Sequence, residues 1–306
     1  MSIIIVHGGV EAGTTPGHIM ELERAALTGA KLLSRGLLDA AEGAVRILED
    51  SPLFNAGYGS VLNLDGEVEM DASVMDGATG KIGAVAAVKD VAHPVSAARM
   101  LLEDGRHAIL AGDGAASFAF SRGIQRRNCI SPEMLAAWQR AVGPEGQTTI
   151  QNTSLFTALP FEGAPFSETV GCVVSAKGFT AAASSTGGSF LKLPGRIGDT
   201  PIPGAGIFAS QRCAVVCSGL GEAFIETLAA AFAGSMVAAG MHPREAAEKT
   251  IARLTSEKGA AGGIVVVDSL NRFGAAHNTR SFPVRVVLDG RILQDFVPQK
   301  LPPPIH

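Results

Sequence analysis

The sequence predicts an α+β fold in which two β-sheets stack face to face, with helices outside each sheet. Apolar residues make up 46% of the 306 residues and charged residues only 18%, a balance typical of a globular chain with a large buried core. Strand-like and helix-like segments occur in two blocks. A polar stretch punctuated by Gly and Pro, at about residues 143–168, separates them. We interpret this stretch as a functional linker within a single domain, 1–306.

The first block opens with one strand and two helices. Ile3–Val6 is a short apolar run and predicts a strand. Ile19–Leu33 has helical periodicity, and Leu38–Asp50 predicts a second helix. Asp39 and Glu42 have the spacing of a capping box at the start of that second helix.

Two strands and two further helices complete the first block. Glu67–Met75 alternates like a half-buried strand, and Ile82–Val88 is continuous like a buried one. Pro94 stands where a helix can begin, and Val95–Leu102 follows with helical spacing. Proline also opens the next predicted helix, Pro132–Val142.

The second block begins directly after the linker and is richer in strands. Two helices are predicted within it, at about Gly221–Ala239 and Pro243–Ser256. The predicted strands are Val170–Val174, Phe179–Ala183, Ala214–Cys217, Gly263–Val267, Phe273–Ala275 and Val284–Leu288.

Composition argues against nucleic acid and membrane as partners. The net charge is −4, the pI is near 6 and aromatic residues make up 5% of the chain, so a basic or stacking surface is not expected. Glu222 and Glu226 interrupt the most apolar stretch, Ala214–Met241, which argues against a membrane span. None of the four cysteines (Cys129, Cys172, Cys213 and Cys217) has CxxC spacing, which favours a reduced, cytoplasmic setting. The last three lie in apolar strand-like runs and are predicted to be small buried side chains.

Thr169 lies where the linker meets the start of a buried strand. If the bond between Glu168 and Thr169 were cut, Thr169 would carry a hydroxyl and a free α-amine on one residue. Such an amine has a reference pKa of about 8 and can act as the base for its own side chain. A threonine that opens a strand is ordinary by itself, so the nucleophile hypothesis depends on the rest of the chain.

A loop at Lys192–Asp199 carries Arg196 and Asp199 three residues apart. A guanidinium can bind a carboxylate with two parallel hydrogen bonds, and an aspartate can bind an ammonium group. Together they match the two charges of a free amino acid. The alternative is an exposed ion pair that contributes little.

Two small-residue turns follow predicted strands, at Ser185–Gly188 and Ser218–Gly221. Their hydroxyls and backbone N–H groups are suited to an oxyanion, although tight turns with helix caps use the same residues. The sequence His7-Gly8-Gly9 lacks the spacing and the lysine of a phosphate-binding loop. A nucleotide-binding α/β protein is therefore disfavoured.

Together these segments resemble the plant-type asparaginase and isoaspartyl peptidase family of N-terminal-nucleophile hydrolases. The resemblance extends in order over Val6–Gly9, Leu48–Ser60, Val68–Ala72, Met75–Gly77, Gly83–Val88, Thr169–Gly171, Ser185–Gly188, Lys192–Asp199 and Gly219–Glu222. It implies a four-layer αββα sandwich that cleaves itself between Glu168 and Thr169. The parts 1–168 and 169–306 would then form an αβ heterodimer, and two heterodimers would associate.

The resemblance also implies a role for each candidate residue. Those of the reaction itself are Thr169 as nucleophile, Thr186 as its hydrogen-bond partner, and Ser218 with the N–H of Gly219 as the oxyanion hole. Those of substrate binding are Arg196 for the α-carboxylate, Asp199 for the α-amine, Gly221 beside the substrate and Asn55 beside the nucleophile. The expected substrates are L-asparagine and β-aspartyl dipeptides.

The Leu48–Tyr58 segment resembles a sodium-binding loop of this family. The implied ligands are backbone carbonyl oxygens, which suit a hard cation: Leu48, Glu49, Ser51, Phe54, Ala56 and Tyr58. No cofactor is expected for catalysis.

Three residues depart from the family pattern. Glu168 stands where Asp or Gly is usual, Ser218 where Thr is usual, and Cys172 where Ala is common. The alternatives are a glycosylasparaginase-like hydrolase, and a relative that binds amino acids without cleaving itself.

Overall fold

The computed structural model describes residues 1–143 and 169–304. In these ranges the strands are β1 (Ser2–His7), β2 (Met70–Asp76), β3 (Ile82–Val88), β4 (Ile109–Ala111), β5 (Val170–Ala176), β6 (Phe179–Thr186), β7 (Ile207–Ala209), β8 (Cys213–Gly219), β9 (Gly262–Asp268), β10 (Phe273–His277), β11 (Val284–Leu288), β12 (Arg291–Ile292) and β13 (Gln299–Lys300). The helices are α1 (Pro16–Leu32), α2 (Leu37–Asp50), α3 (Pro94–Asp104), α4 (Gly112–Ser121), α5 (Pro132–Val142), α6 (Gly221–Thr227), α7 (Ala229–Ala238) and α8 (Pro243–Lys258).

The strands form two sheets, so the chain is a mixed α and β protein. The larger sheet has the order β12-β11-β1-β5-β6-β2-β3-β4, and the smaller one β13-β10-β9-β8-β7. Neighbours are antiparallel except for the short pairs β3–β4 and β10–β13, which are parallel. Strands β1 and β5 are paired on both sides and lie inside the larger sheet.

Both faces of the central strands are buried, because alternate residues join different hydrophobic clusters. On β1, Ile4 and Val6 pack in a cluster with residues of α1 and α2. Ile3 and Ile5 face the opposite way, in a cluster that also holds residues of β8 and β9. The remaining residues of β8 and β9 pack with α6, α7 and α8 in a third cluster.

Helix starts follow local sequence signals in most cases. Proline stands at the start of α1, α3, α5 and α8, and the Ser131 hydroxyl accepts a hydrogen bond from the N–H of Met134 at the start of α5. The capping box predicted for α2 is wrong. That helix begins at Leu37, and Glu42 instead accepts a hydrogen bond from the Ser96 hydroxyl at 2.6 Å.

The helix predicted at Gly221–Ala239 is interrupted at Leu228, which adopts a left-handed conformation with φ of 47°. This break frees the first N–H groups of α7 for other partners. Those of Ala230 and Ala231 donate to the carbonyls of Ala205 and Gly204, in the segment that follows the Arg196–Asp199 loop. The break therefore anchors that segment.

Other differences lie at element ends and sheet edges. Strand β2 begins at Met70, three residues later than predicted, and helix α4 and strands β4, β7, β12 and β13 were not predicted. All four cysteines are buried and unpaired, which confirms the burial predicted for Cys172, Cys213 and Cys217. Across residues 1–143 and 169–304, no helix has the length and hydropathy needed to cross a bilayer.

Candidate active site

The antiparallel pairing of β5 with β6 brings the predicted threonines to one edge of the larger sheet. Val170 pairs with Ser185, so continuing the register by one residue places Thr169 opposite Thr186. Strand β2 extends the row, since Asp71 pairs with Thr186 on the other side of β6. Thr169 is buried, and the Thr186 hydroxyl accepts a hydrogen bond from the N–H of Gly188 at 2.9 Å.

The end of β8 in the smaller sheet supplies Ser218 and Gly219. The fully buried Ser218 hydroxyl oxygen accepts a hydrogen bond from the N–H of Val10 at 3.0 Å. Because an N–H occupies its oxygen, the hydroxyl hydrogen is left to donate to another acceptor. Gly219 has φ of 150°, and a Cβ there would lie 2.5 Å from the carbonyl oxygen of Ala261. This close approach requires glycine.

We call residues 192–199 the recognition loop. Within it, Arg196 binds Glu222 with two hydrogen bonds of 2.9 Å, one from Nε and one from Nη2. Glu222 is the second residue of α6 and is partly exposed. A carboxylate therefore already occupies one edge of the guanidinium predicted to bind the substrate carboxylate. Sequence reasoning missed this pair, although Glu222 closes the Gly219–Glu222 motif.

Asp199 is buried at the end of the recognition loop. Burial raises the pKa of its carboxyl group to about 7, with the positive charge of Arg196 acting in the opposite direction. Among the described residues its Oδ2 has no hydrogen-bond partner. Gly221 lies against both recognition side chains, because a Cβ there would be 2.8 Å from Nη2 of Arg196 and 3.0 Å from Oδ1 of Asp199.

This pKa predicts how ligand affinity depends on pH. Below pH about 7 the free protein holds Asp199 protonated, and a neutral carboxyl pairs poorly with an ammonium group. We expect affinity for L-aspartate, measured by calorimetry, to weaken up to about tenfold per pH unit below 7. Asp199→Asn should bind weakly with little pH dependence, whereas equal wild-type affinity at pH 5 and pH 8 would contradict the prediction.

The side chain of Asn55 hydrogen-bonds to the backbone of two neighbouring segments. Its Nδ2 donates to the carbonyl of Gly188 at 2.7 Å, and its Oδ1 accepts from the N–H of Val61 at 2.9 Å. Gly187 packs directly on it, since a Cβ there would lie 2.3 Å from Oδ1. Asn55 thus ties the segment after α2 to the turn after Thr186.

One small cavity brings several of the predicted residues together. Its lining comprises Thr169, Thr186, Gly188, Ser189, Arg196, Gly198, Asp199 and Gly219. The other three predicted residues are not part of this lining: Asn55, Ser218 and Gly221. Glu168 lies outside the described residues.

His7 is fully buried at the end of β1 and packs next to Gly171 of β5, close to Thr169. Burial lowers the pKa of its ring to about 3, while the backbone of Thr169 acts weakly in the opposite direction, so the ring is neutral. A Cβ on Gly171 would lie 2.4 Å from its Nε2. His7 therefore packs behind the first residues of β5.

The backbone of the predicted sodium loop is tightly folded. A Cβ on Gly57 would lie 2.2 Å from the carbonyl oxygen of Glu49, and one on Gly59 would lie 2.1 Å from that of Phe54. Three of the candidate carbonyls, those of Leu48, Phe54 and Ala56, accept one backbone hydrogen bond each. A carbonyl oxygen has a second lone pair, so these groups remain able to bind a cation.

A larger depression of about 460 Å³ lies elsewhere, between the start of β2 and the segment before α5. Two of its lining side chains, Lys89 and Glu67, form an ion pair, and a third, Arg127, binds Asp50 outside the lining at 2.7 Å. The candidate residues around Thr169 do not line it. The smaller cavity is therefore the candidate active site.

Comparison with known proteins shows which family the chain belongs to. A family model described as asparaginase matches residues 1–292. The plant-type L-asparaginase of Thermococcus kodakarensis is 40% identical, over 95% of this chain and 97% of its own length. The isoaspartyl peptidase of Salmonella typhimurium is 41% identical over 87% and 89%, and the isoaspartyl peptidase/L-asparaginase of Rattus norvegicus is 36% identical over 95% and 87%.

By class the chain is a hydrolase. It belongs to the asparaginase family, which confirms the resemblance drawn from its motifs.

Proposed function

We propose that this chain is cut between Glu168 and Thr169 and then hydrolyses the side-chain amide of L-asparagine and of β-aspartyl dipeptides. The observation that carries the proposal is one cavity lined by Thr169, Arg196 and Asp199. It combines a candidate nucleophile with charges of both signs for an amino acid. Relatives of similar length are named L-asparaginase and isoaspartyl peptidase.

The reaction begins with attack of the Thr169 hydroxyl oxygen on the amide carbonyl carbon. The α-amine of Thr169 takes the hydroxyl proton and later gives it to the leaving nitrogen. Ammonia or an amino acid departs, and water then hydrolyses the aspartyl ester to release aspartate. The Ser218 hydroxyl and the N–H of Gly219 stabilise the oxyanion of each tetrahedral intermediate.

Substrate recognition uses two residues of the recognition loop. Arg196 binds the α-carboxylate and Asp199 binds the α-ammonium group, with Gly221 leaving room between them. Glu222 holds the guanidinium through Nε and Nη2. The substrate carboxylate then uses the remaining N–H groups or displaces Glu222.

The three hydrophobic clusters support an αββα sandwich as the finer description of the fold. We further propose that the two cleavage products stay together as a heterodimer, that two heterodimers associate, and that the enzyme works in the cytoplasm on small molecules. A sodium ion held by carbonyls of the 48–58 segment would stiffen that segment and, through Asn55, the turn after Thr186.

Intact mass and activity test the proposal together. Purified protein should separate on a denaturing gel into fragments of about 17 and 14 kDa, in proportion to 1–168 and 169–306 of the 31.4 kDa chain. The cleaved protein should release ammonia from L-asparagine and amino acids from β-aspartyl dipeptides. A persistent single band without turnover favours an amino-acid-binding relative, and turnover restricted to glycosylated asparagine favours a glycosylasparaginase-like enzyme.

The ability of a guanidinium to bind a carboxylate with two parallel hydrogen bonds gives a further prediction. Arg196→Lys should raise KM for L-asparagine on the order of 10- to 100-fold, because an ammonium group replaces two charge-assisted hydrogen bonds with a point charge. The turnover number should change much less. Steady-state kinetics measures both, with Arg126→Lys, at an exposed position, as the matched control. An unchanged KM in Arg196→Lys would contradict the proposed binding role.

A further inference from the structure

Two acidic residues, one in β2 and one directly before it, hydrogen-bond to the backbone of the recognition loop. Glu69 and Asp71 are both buried. The Glu69 carboxylate accepts a hydrogen bond from the N–H of Gly195 at 2.9 Å, and the Asp71 carboxylate accepts one from the N–H of Gly198 at 3.1 Å. These N–H groups lie on either side of Arg196. The two carboxylates therefore bracket its backbone.

A third contact fixes the start of the same loop. The ammonium group of the buried Lys192 donates to the carbonyl of Glu69 at 2.7 Å. Burial lowers the pKa of Lys192, while the charges of Asp71 and then Glu69 act in the opposite direction. Its side chain also packs against Gly188, because a Cβ on Gly188 would lie 2.8 Å from Nζ. Lys192 thus joins the loop to the wall of the cavity.

Asp71 also connects the loop to the register of the sheet. The pairing of β2 with β3 is irregular between Met70 and Ala72, and the N–H of Ala87 donates to the other Asp71 oxygen at 2.8 Å. Ala87 itself has a left-handed φ of 48°. Asp71 pairs in register with Thr186, so the residue that holds Gly198 has a fixed place relative to the threonine row.

The loop needs such support because of its own composition. Gly195 adopts φ of 81° with open space where a Cβ would lie, and Gly198 is also glycine. Within the loop, the N–H of Arg196 makes one backbone hydrogen bond, to the carbonyl of Leu193 at 3.0 Å. Arg196 and Asp199 must nevertheless lie at a fixed spacing to bind two charges on one carbon atom.

We propose that Glu69 and Asp71 are positioning residues that set substrate affinity, by fixing the backbone on both sides of Arg196 and directly before Asp199. This inference rests on the proposed function. The two residues touch the loop backbone and not the reacting atoms, so they act on binding more than on the chemical step. Asp71 is the stronger of the pair, because it is fully buried and its two oxygens bind the N–H groups of both Gly198 and Ala87.

Steady-state kinetics on protein of matched cleavage state tests the proposal. Asp71→Asn exchanges one accepting oxygen for a donor, so KM for L-asparagine should rise about tenfold or more while kcat stays within about threefold of the wild-type value. Glu69→Ala should raise KM in the same way, whereas Glu69→Gln keeps an accepting oxygen and should stay near the wild type. Affinity for L-aspartate should weaken in parallel with KM.

Asp76→Asn is the matched control. Asp76 ends β2, and its carboxylate contacts the N–H of Ala78 and the hydroxyl of Thr79 in the following turn. Its KM and kcat should equal those of the wild type. If Asp71→Asn does not fold, the two Glu69 variants decide the question.

The outcomes separate this inference from the proposed function. Wild-type turnover with unchanged KM in Asp71→Asn and Glu69→Ala overturns the inference alone, as does a loss confined to kcat. A wild-type protein that neither hydrolyses the substrates nor binds L-aspartate overturns the proposed function and this inference with it.

Discussion

Replacing Thr169 with alanine is expected to abolish both chain cleavage and hydrolysis while leaving the fold intact. In the proposed mechanism the hydroxyl is the attacking group in both reactions, and removal of a nucleophile costs on the order of 10⁴-fold or more in turnover. The fold should persist because β5 begins one residue later and is paired with β1 and β6. Intact mass and ammonia release measure the two losses.

Thr169→Ser is the control for this prediction, since it keeps the hydroxyl and loses one methyl group. It should still be cut and should retain turnover. Hydrolysis by Thr169→Ala, or by wild-type protein whose Glu168–Thr169 bond is uncut, would show that the α-amine and hydroxyl of one residue are not the catalytic pair.

The second large effect is expected at Ser218. Ser218→Ala removes one oxyanion donor, so kcat should fall about 10²- to 10³-fold while KM changes little. The variant should also lose about 1–3 kcal/mol of stability, because the N–H of Val10 loses its buried acceptor. Kinetics below the unfolding transition, together with urea denaturation, separates the two effects.

Two variants make the Ser218 experiment specific. Ser218→Thr keeps the hydroxyl and should stay near wild-type activity. Ser175→Ala removes a different fully buried hydroxyl, which lies in β5 of the larger sheet and donates to the carbonyl of Asp268 at 2.8 Å. It should lower stability without changing kcat. If Ser175→Ala and Ser218→Ala reduce kcat equally, Ser218 is a structural residue and the oxyanion assignment is wrong.

The sequence predicted the elements whose signals are local. Strands β3 and β11 have the predicted bounds, because each apolar-rich run is bounded by residues that end it: Lys81 and Lys89 for β3, Pro283 and Asp289 for β11. Strands β12 and β13 have two residues each, too few to show a period of two. The interruption at Leu228 was also invisible, since leucine continues a helix in most settings and here tertiary contacts of α7 override that preference.

The residues of the candidate site also divide into those with a local sequence signal and those without one. Thr169, Arg196 and Asp199 were predicted from their local sequence together with the family resemblance, and the structure places all three around one cavity. Their supporting partners were missed. Asp71 meets Gly198 across 127 positions, and Val10 meets Ser218 across 208. A single carboxylate or backbone N–H has no local pattern that would indicate such a partner.

The strand order of the larger sheet has a consequence for the cut protein. Counting along the sheet, β1 from the segment before residue 169 is inserted between β11 and β5 from the later segment, and β2 is joined edge to edge with β6. A nick before Thr169 would therefore free neither piece. Separating the two fragments would require breaking the hydrogen bonds of β1 to both neighbouring strands and exposing the hydrophobic core, which amounts to global unfolding. Under native conditions the two fragments should migrate as one particle, and refolding from separated fragments should fail unless both are present.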